Sequence, residues 1–218
     1  MTPGDVYVVG TRTFAAEVAD FVVDAGLRVA GLLEPYDRAR VGQTIHGYPV
    51  TWLEETSPDA GPALIGTGDT DRRELAARLR SVGWHAGTLV HPRAHVAPSS
   101  TVGGGSVVGP GVIVGARTRI GEHVVLGRGA LIGHHSEIGS FSSVGPGANV
   151  AGNVRVESDA VIAMGALVRD HTTIGSGAVV AMGAVVVDDV PAATEVRGLP
   201  ARPLGSAHVS AGDLRQNS

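Results

Sequence analysis

The chain has no cysteine among its 218 residues, which excludes disulfide bonds and thiolate chemistry. Its net charge is -4 and it contains no run of basic residues, so nucleic acid is not an expected partner. No apolar stretch approaches the ~20 residues that a membrane span needs. The N-terminal sequence MTPGDVYVVG is too short and too acidic for a signal peptide. These absences favour a soluble, cytoplasmic protein that contacts no membrane.

Large side chains are also scarce, because aromatic residues make up only 4% of the chain while glycine occurs 32 times. With 43% hydrophobic and 17% charged residues, the chain is nevertheless globular and not disordered. A core with few aromatic rings must bury small aliphatic side chains in a regular, repetitive way. The composition therefore favours a repeat architecture.

A period of six residues runs through the C-terminal half of the chain. Stepping by six from Val90 to Val186 meets Val, Ile or Leu at all seventeen positions. The residue after the aliphatic is glycine in an unbroken series from Gly103 to Gly145, and the residue four positions after it is small or β-branched. A chance Val/Gly-rich segment would not hold this register, because a single slip would end the series.

A period of six matches neither an amphipathic helix nor a simple hairpin. It predicts an all-β, left-handed parallel β-helix of hexapeptide repeats, with three short strands in each coil. Each aliphatic would point inward at a corner and stack on the aliphatic three hexads away, and glycine would free the backbone at the bend. We expect this domain over residues 89–190, followed by a C-terminal tail over residues 191–218 whose end is disordered.

Residues 1–88 lack the period and predict an α/β domain. Val6–Gly10 and the segment LRVAGLLE are typical of buried parallel strands, and Thr13 can cap a helix between them that ends at Gly26. The segments ALIG and DRRELAARLRSVG repeat the strand–helix order. This alternation indicates a small, open parallel sheet of Rossmann type.

Ligands of such sheets bind beyond the carboxyl ends of the strands. Arg12 and the helix N-terminus suit an anionic group, but the turn lacks the G-x-G-x-x-G pattern of phosphate-binding loops. An ordinary strand-to-helix turn with a surface arginine explains the same residues. The candidate ligand-binding residues of this domain are Gly10, Thr11, Arg12, Thr13, Glu34 and Gly66.

Three stretches of the chain carry a family resemblance: VYVVG with its following helix, IGHHSEIGSFSSVGPGANVAGNVRV, and RGLPARPL. From roughly Val6 to Leu204 the chain resembles the sugar O- and N-acyltransferases, which include sialic acid O-acetyltransferases and UDP-amino-sugar acetyltransferases of the bacillosamine pathway. The resemblance implies acetyl-CoA as acyl donor, an acceptor bound by the Rossmann-like domain, and a tail that partly covers CoA. Prisms of this kind generally form homotrimers with sites between subunits.

In the family's catalytic coil a histidine followed by a carboxylate acts as general base, and His134 matches that histidine. A histidine titrates near neutrality, which suits it to deprotonate an amine or a hydroxyl. The carboxylate is replaced by His135, and Glu137 shares a face with His135 on an extended strand. Either histidine is therefore a candidate base with Glu137 assisting, or a carboxylate comes from elsewhere.

The resemblance also implies a set of cofactor-binding residues. A second family histidine, close to the thioester, matches Ser143. The groove for the pantetheine arm matches two A-M-G hexads on successive coils, although methionines that only fill gaps in the prism are the alternative. Arg202 could meet a CoA phosphate or be solvated. The remaining groove residues are Gly152, Ala163, Met164, Ala181, Met182 and Gly183.

No metal site is expected, although γ-type carbonic anhydrases share this fold and bind metal through three histidines. His134 and His135 are adjacent, and Arg117 stands one coil before His135, so no ligand set has suitable spacing.

The sequence therefore predicts an acetyl-CoA-dependent transferase that acetylates the amine of a nucleotide-linked amino sugar. Because the turn at residues 11–14 departs from the family pattern, O-acetylation of a sugar or transfer to a non-sugar acceptor is the close alternative. A non-catalytic trimeric scaffold is the alternative from another class, favoured by the missing carboxylate and by Ser143. The retained His134, the A-M-G hexads and the closing segment oppose it.

Overall fold

The structure is a computed structural model that describes residues 4–68 and 72–206. It divides into two compact units, the first ending at Pro92 and the second beginning at Arg93. The end of the tail, for which the sequence predicts disorder, lies outside the described residues.

The first unit is built on a sheet with the strand order β3-β4-β2-β1-β5. Strands β4, β2, β1 and β5 run parallel, and β3 pairs with β4 antiparallel. The strands of the sheet are β1 (Asp5–Val9), β2 (Arg28–Glu34), β3 (Thr44–Ile45), β4 (Tyr48–Trp52) and β5 (Ala63–Ile65), and β6 (Leu89–Val90) follows near the end of the unit. Helix α1 (Thr13–Asp24) follows β1 and helix α2 (Arg72–Ser81) follows β5, with single-turn 3-10 helices at Arg38–Arg40, Leu53–Glu55 and Pro58–Ala60.

Two local features of this unit differ from the sequence prediction. Helix α1 begins at Thr13 itself and its N-cap residue is Arg12, which makes no side-chain capping bond, so the predicted cap by Thr13 is wrong. The hairpin of β3 and β4 was not predicted. Its turn is His46-Gly47, whose φ angles of 52° and 82° are the positive values that a two-residue type I′ turn requires. Within the described residues, neither α-helix has the length and apolarity to cross a membrane.

The second unit is a three-sided parallel β-helix. Each strand pairs with the third strand after it, so that Leu131 lies beside Asn149, three hexads later. This spacing confirms three strands per coil. Its two-residue strands are β7 (His95–Val96), β8 (Thr101–Val102), β9 (Val107–Val108), β10 (Ile113–Val114), β11 (Arg119–Ile120), β12 (Val125–Leu126), β13 (Leu131–Ile132), β14 (Glu137–Ile138), β15 (Ser143–Val144), β16 (Asn149–Val150), β17 (Arg155–Val156), β18 (Val161–Ile162), β19 (Leu167–Val168), β20 (Thr173–Ile174), β21 (Val179–Val180) and β22 (Val185–Val186).

Three sheets form the sides of the prism. The first sheet contains β7, β10, β13, β16, β19 and β22, and the second contains β8, β11, β14, β17 and β20. The third contains β9, β12, β15, β18 and β21 and is extended by the antiparallel pair β23 (Thr194–Arg197) and β24 (Arg202–Ser206).

The aliphatic of each hexad lies on a strand, as its second residue, and not at a corner as predicted. From Val108 onward these side chains are buried in one continuous core. Val90 is 41% exposed, because the repeat starts there and supplies no preceding coil to cover it.

The glycine after the aliphatic allows successive coils to stack closely. Its predicted role, which was to free the backbone at the bend, is wrong. A Cβ atom on Gly133 would lie 2.4 Å from the carbonyl carbon of Ala151 in the next coil. The bends are made two residues later, where Gly129, His135 and Asn153 have φ angles of 66°, 58° and 58°. Histidine and asparagine are among the non-glycine residues that most often adopt this left-handed conformation.

Candidate active site

His134 and His135 form the turn between β13 and β14, and both side chains are exposed. We name the turns between the first and second sheets, residues 133–136 and their equivalents on the other coils, the histidine corner. The Nδ1 atoms of the two rings are 3.0 Å apart, and the ring planes are nearly perpendicular at 87°. The two predicted catalytic histidines are therefore in direct hydrogen-bond contact.

The ring of His134 packs against the main chain of the next coil. A Cβ atom on Gly152 would lie 2.8 Å from Cε1 and 2.9 Å from Nε2 of His134, so any larger residue would displace the ring. The N–H of Asn153 donates to the carbonyl of His134 at 2.8 Å and ties the two coils together at this point. The structure thus brings His134 and Gly152 into contact.

Glu137 is not placed to assist either histidine. Its carboxylate is bound by Arg119 on the preceding coil and lies 3.9 Å from Nη1 of Arg155 on the next coil. These three side chains form a row of alternating charges on the outer face of the second sheet. They line an open groove of about 560 Å³, and neither histidine belongs to its lining. Glu137 therefore does not orient the ring of His135, as the sequence analysis predicted it could.

The two A-M-G hexads occupy a different corner of the prism, between the third and first sheets. We name it the methionine corner and define it by residues 163–166 and 181–184. The N–H of Gly183 donates to the carbonyl of Met164 at 3.0 Å, which stacks the two turns. Met164 is 53% exposed and Met182 is 70% exposed, so these side chains do not fill gaps inside the prism.

Comparison with known proteins gives one family-model match, to the GMPPB C-terminal domain, over residues 85–188. No curated protein sequence matches the chain significantly. Among solved structures, the acetyltransferase domain of PglB from Neisseria gonorrhoeae in complex with acetyl coenzyme A is 30% identical, with a TM-score of 0.85 over 93% of this chain and 100% of that one. The chain belongs to the sugar O- and N-acyltransferase family.

Two further solved members of this family are similar over nearly their full length. A variant of perosamine N-acetyltransferase from Caulobacter crescentus, in complex with CoA and GDP-perosamine, is 29% identical with a TM-score of 0.87, over 93% of this chain and 98% of that one. WeeI from Acinetobacter baumannii is 28% identical with a TM-score of 0.84, over 91% of this chain and 99% of that one.

Ser136 supports the turn of His134 and His135 from inside the prism and was not among the residues that the sequence predicts for the site. Its buried hydroxyl donates to the carbonyl of Ala151 at 3.0 Å and accepts from the N–H of Val154 at 3.1 Å. The repeat does identify Ser136 as the small residue of its hexad. It does not show whether such a serine only fills space or also forms hydrogen bonds.

Two of the expected CoA-binding residues lie outside both corners. Ser143 is half-buried on β15, in the third sheet. Arg202 is exposed on β24, donates to the carbonyl of Ala201 at 3.0 Å, and lies 3.9 Å from the carboxylate of Asp188.

The predicted acceptor residues of the first unit divide into an internal network and an exposed pair. Glu34 is only 4% exposed; its carboxylate accepts from the Thr11 hydroxyl and, at 2.8 and 3.0 Å, from the N–H groups of Tyr36 and Asp37. Nη1 of Arg40 donates to the Thr11 hydroxyl at 3.1 Å. This network holds the loop after β2 against the end of β1.

The two predicted glycines have packing roles. A Cβ atom on Gly66 would lie 2.7 Å from Val8 and 2.9 Å from Cα of Ala15, so glycine lets β5 approach β1 and α1. Gly10 is buried with a φ angle of 109°. Arg12 and Thr13 are the exposed members of the set.

Among the residues that the structure describes, no cluster of three or more His, Asp or Glu side chains is arranged to hold a metal ion.

The contact between His134 and Gly152 makes a testable prediction. Gly152→Ala should push the His134 ring out of place, and a displacement of about 1 Å costs on the order of 10²-fold in rate. Acetyl transfer, followed as CoA thiol release, should fall by that order while the melting temperature changes little. Gly104→Ala is the matched control, because a Cβ atom there has nothing within 4 Å. An unchanged rate in Gly152→Ala would show that the ring position does not matter.

Proposed function

We propose that this acyltransferase transfers the acetyl group of acetyl-CoA to the amine of a nucleotide-linked amino sugar, with His134 as general base. The observation that carries the proposal is the exposed imidazole of His134, seated against Gly152 at the histidine corner. The full-length similarity to an acetyltransferase domain bound to acetyl-CoA and to an enzyme bound to CoA and GDP-perosamine supports both substrates. Acetyl-CoA as the donor also favours a cytoplasmic location.

The chemistry requires a proton acceptor near the amine. Nε2 of His134 takes a proton as the amine nitrogen attacks the thioester carbonyl, the C–S bond breaks, and CoA leaves as a thiolate. Main-chain N–H groups of the coil are suited to stabilise the oxyanion that forms during the attack.

The donor fits the methionine corner. Two exposed methionines on successive coils, Met164 and Met182, offer an apolar, adaptable surface for the pantetheine arm, and the small residues Ala163 and Ala181 precede them in the chain. Arg202, exposed and only 3.9 Å from a single carboxylate, remains a candidate for a CoA phosphate.

The positions of the two corners support a homotrimer. The histidine corner and the methionine corner flank opposite edges of the first sheet, so one chain does not bring them together. The outward face of that sheet carries Ile113, Leu131 and Leu167, which are 49%, 38% and 45% exposed. An exposed apolar face between the two corners suits a symmetric assembly. In such an assembly each site would combine the histidine corner of one chain with the methionine corner of another.

The first unit is the candidate acceptor-binding, Rossmann-like domain. Arg12 and Thr13 are exposed beyond the carboxyl end of β1, where open parallel sheets bind nucleotides. The exposed Tyr36 follows β2, and Trp52 ends β4, so aromatic side chains border the same edge. An arginine and two rings suit a diphosphate and a base.

The direct test is a thiol-release assay with acetyl-CoA and a panel of amino sugars, free and nucleotide-linked. His134→Ala should lose on the order of 10²–10⁴ in rate, the usual contribution of a general base. His171→Ala is the matched control, because His171 is exposed at the equivalent of position 135, two coils away, with a similar φ angle of 57°. Turnover of hydroxyl acceptors alone would favour O-acetylation. The scaffold alternative is favoured if nothing turns over and calorimetry detects no CoA binding.

The trimer is tested separately by light scattering. Leu167→Asp places a charge on the apolar face of the first sheet and should reduce the particle mass to that of one chain and abolish transfer. Thr101→Asp, on the exposed face of the second sheet, should leave the mass of three chains unchanged. A trimeric Leu167→Asp protein would exclude this face as the interface.

A further inference from the structure

The two histidines of the histidine corner share one hydrogen bond, with 3.0 Å between their Nδ1 atoms. In such a contact one Nδ1 carries the hydrogen and the other supplies the lone pair. A neutral imidazole has one N–H and one bare nitrogen, so the pair as a whole leaves one Nε2 bare and one Nε2 protonated. The direction of this single hydrogen bond therefore decides which histidine is the base.

No carboxylate of the described chain is hydrogen-bonded to either ring. The nearest acidic residue in sequence, Glu137, is engaged by Arg119 and faces Arg155. Within the described chain, the hydrogen-bond partner available to each ring is therefore the other ring.

Other charged groups at the corner stand on different coils. Arg117 lies one coil before His135, and Arg169 and Asp170 lie in the equivalent turn two coils after the pair, beyond the uncharged Gly152 and Asn153. The ring of His134 is the one seated on Gly152, whereas His135 contacts His134. This asymmetry assigns the two residues different tasks.

We propose that His135 is a positioning residue whose Nδ1 accepts the Nδ1–H of His134. This hydrogen bond holds His134 in the tautomer whose Nε2 is bare and able to take a proton. The idea rests on the proposed function for the reaction, but the tautomer is a property of the protein without substrate. When His134 takes a proton at Nε2, its Nδ1–H stays in place, so the same hydrogen bond holds the ring throughout the step.

The backbone at position 135 permits a sharp test. In asparagine Oδ1 is two bonds from Cβ, as Nδ1 is in histidine, so His135→Asn keeps an acceptor at the same place. Asparagine fits the left-handed backbone, because Asn153 has the same φ angle of 58° at the equivalent position of the next coil. His135→Ala removes the acceptor, and His171→Ala, at a φ angle of 57°, controls for the cost of alanine in this conformation.

The first readout is the ¹⁵N chemical shift of the imidazole nitrogens, measured without substrate at a pH where the rings are neutral. The wild type and His135→Asn should both show His134 with hydrogen on Nδ1 and a bare Nε2. His135→Ala should lose this preference and show the mixture of tautomers of a solvated imidazole. His171→Ala should match the wild type.

The second readout is the rate of acetyl transfer. His135→Ala should lower kcat by about 10–100-fold, the range found when the hydrogen-bond partner of a metal-bound histidine is removed, with KM for acetyl-CoA unchanged. His135→Asn should recover most of this loss, and His171→Ala should lose nothing.

Two results would overturn the proposal: a wild-type His134 that carries its hydrogen on Nε2, or a His135→Asn variant as impaired in rate as His135→Ala. A chain that shows the predicted tautomer but transfers no acetyl group would contradict the proposed function and leave the hydrogen-bond assignment standing. The two failures are therefore distinguishable.

Discussion

The stacking of one coil on the next, at a fixed offset of three hexads, is the constraint on which the rest of the β-helix depends. The N–H of Gly133 donates to the carbonyl of Val150 at 2.7 Å, and the coils are so close there that a Cβ atom would be 2.4 Å from main-chain carbon. The same closeness seats the His134 ring on Gly152. The proposed base is thus placed by the repeat itself, on the regular β-helix and not on a long loop.

Much of the β-helix could be predicted because a regular repeat determines which residues of successive coils lie side by side. Once the period is six and the strands number three to a coil, every aliphatic has a known neighbour, and Ile138, Ile162 and Ile174 are all buried as expected. The hairpin of β3 (Thr44–Ile45) and β4 (Tyr48–Trp52) has no such repetition, and a strand of two residues carries no readable alternation. Its one signal was the His46-Gly47 turn.

The sequence named candidate residues for the site but did not determine which of them are in contact. His134 and the two methionines followed from the family pattern, but the link between His135 and Glu137 assumed that side chains alternate along an extended strand. His135 has a φ angle of 58°, so the alternation does not pass through it, and Glu137 turns to Arg119 instead. The sequence shows whether Gly, His or Asn occupies the left-handed position of each turn. The conformation of the turn then decides which side chains are in contact.

We propose a site that is assembled from two chains, and complementation in mixed trimers is the experiment that tests this arrangement. The chain with His134→Ala and the chain with both Met164→Asp and Met182→Asp should each be inactive alone. In trimers formed from equal amounts of the two, half of the histidine corners are intact and half of those face an intact methionine corner, so about a quarter of the wild-type rate should return. A mixture no more active than its separate components would contradict the shared site.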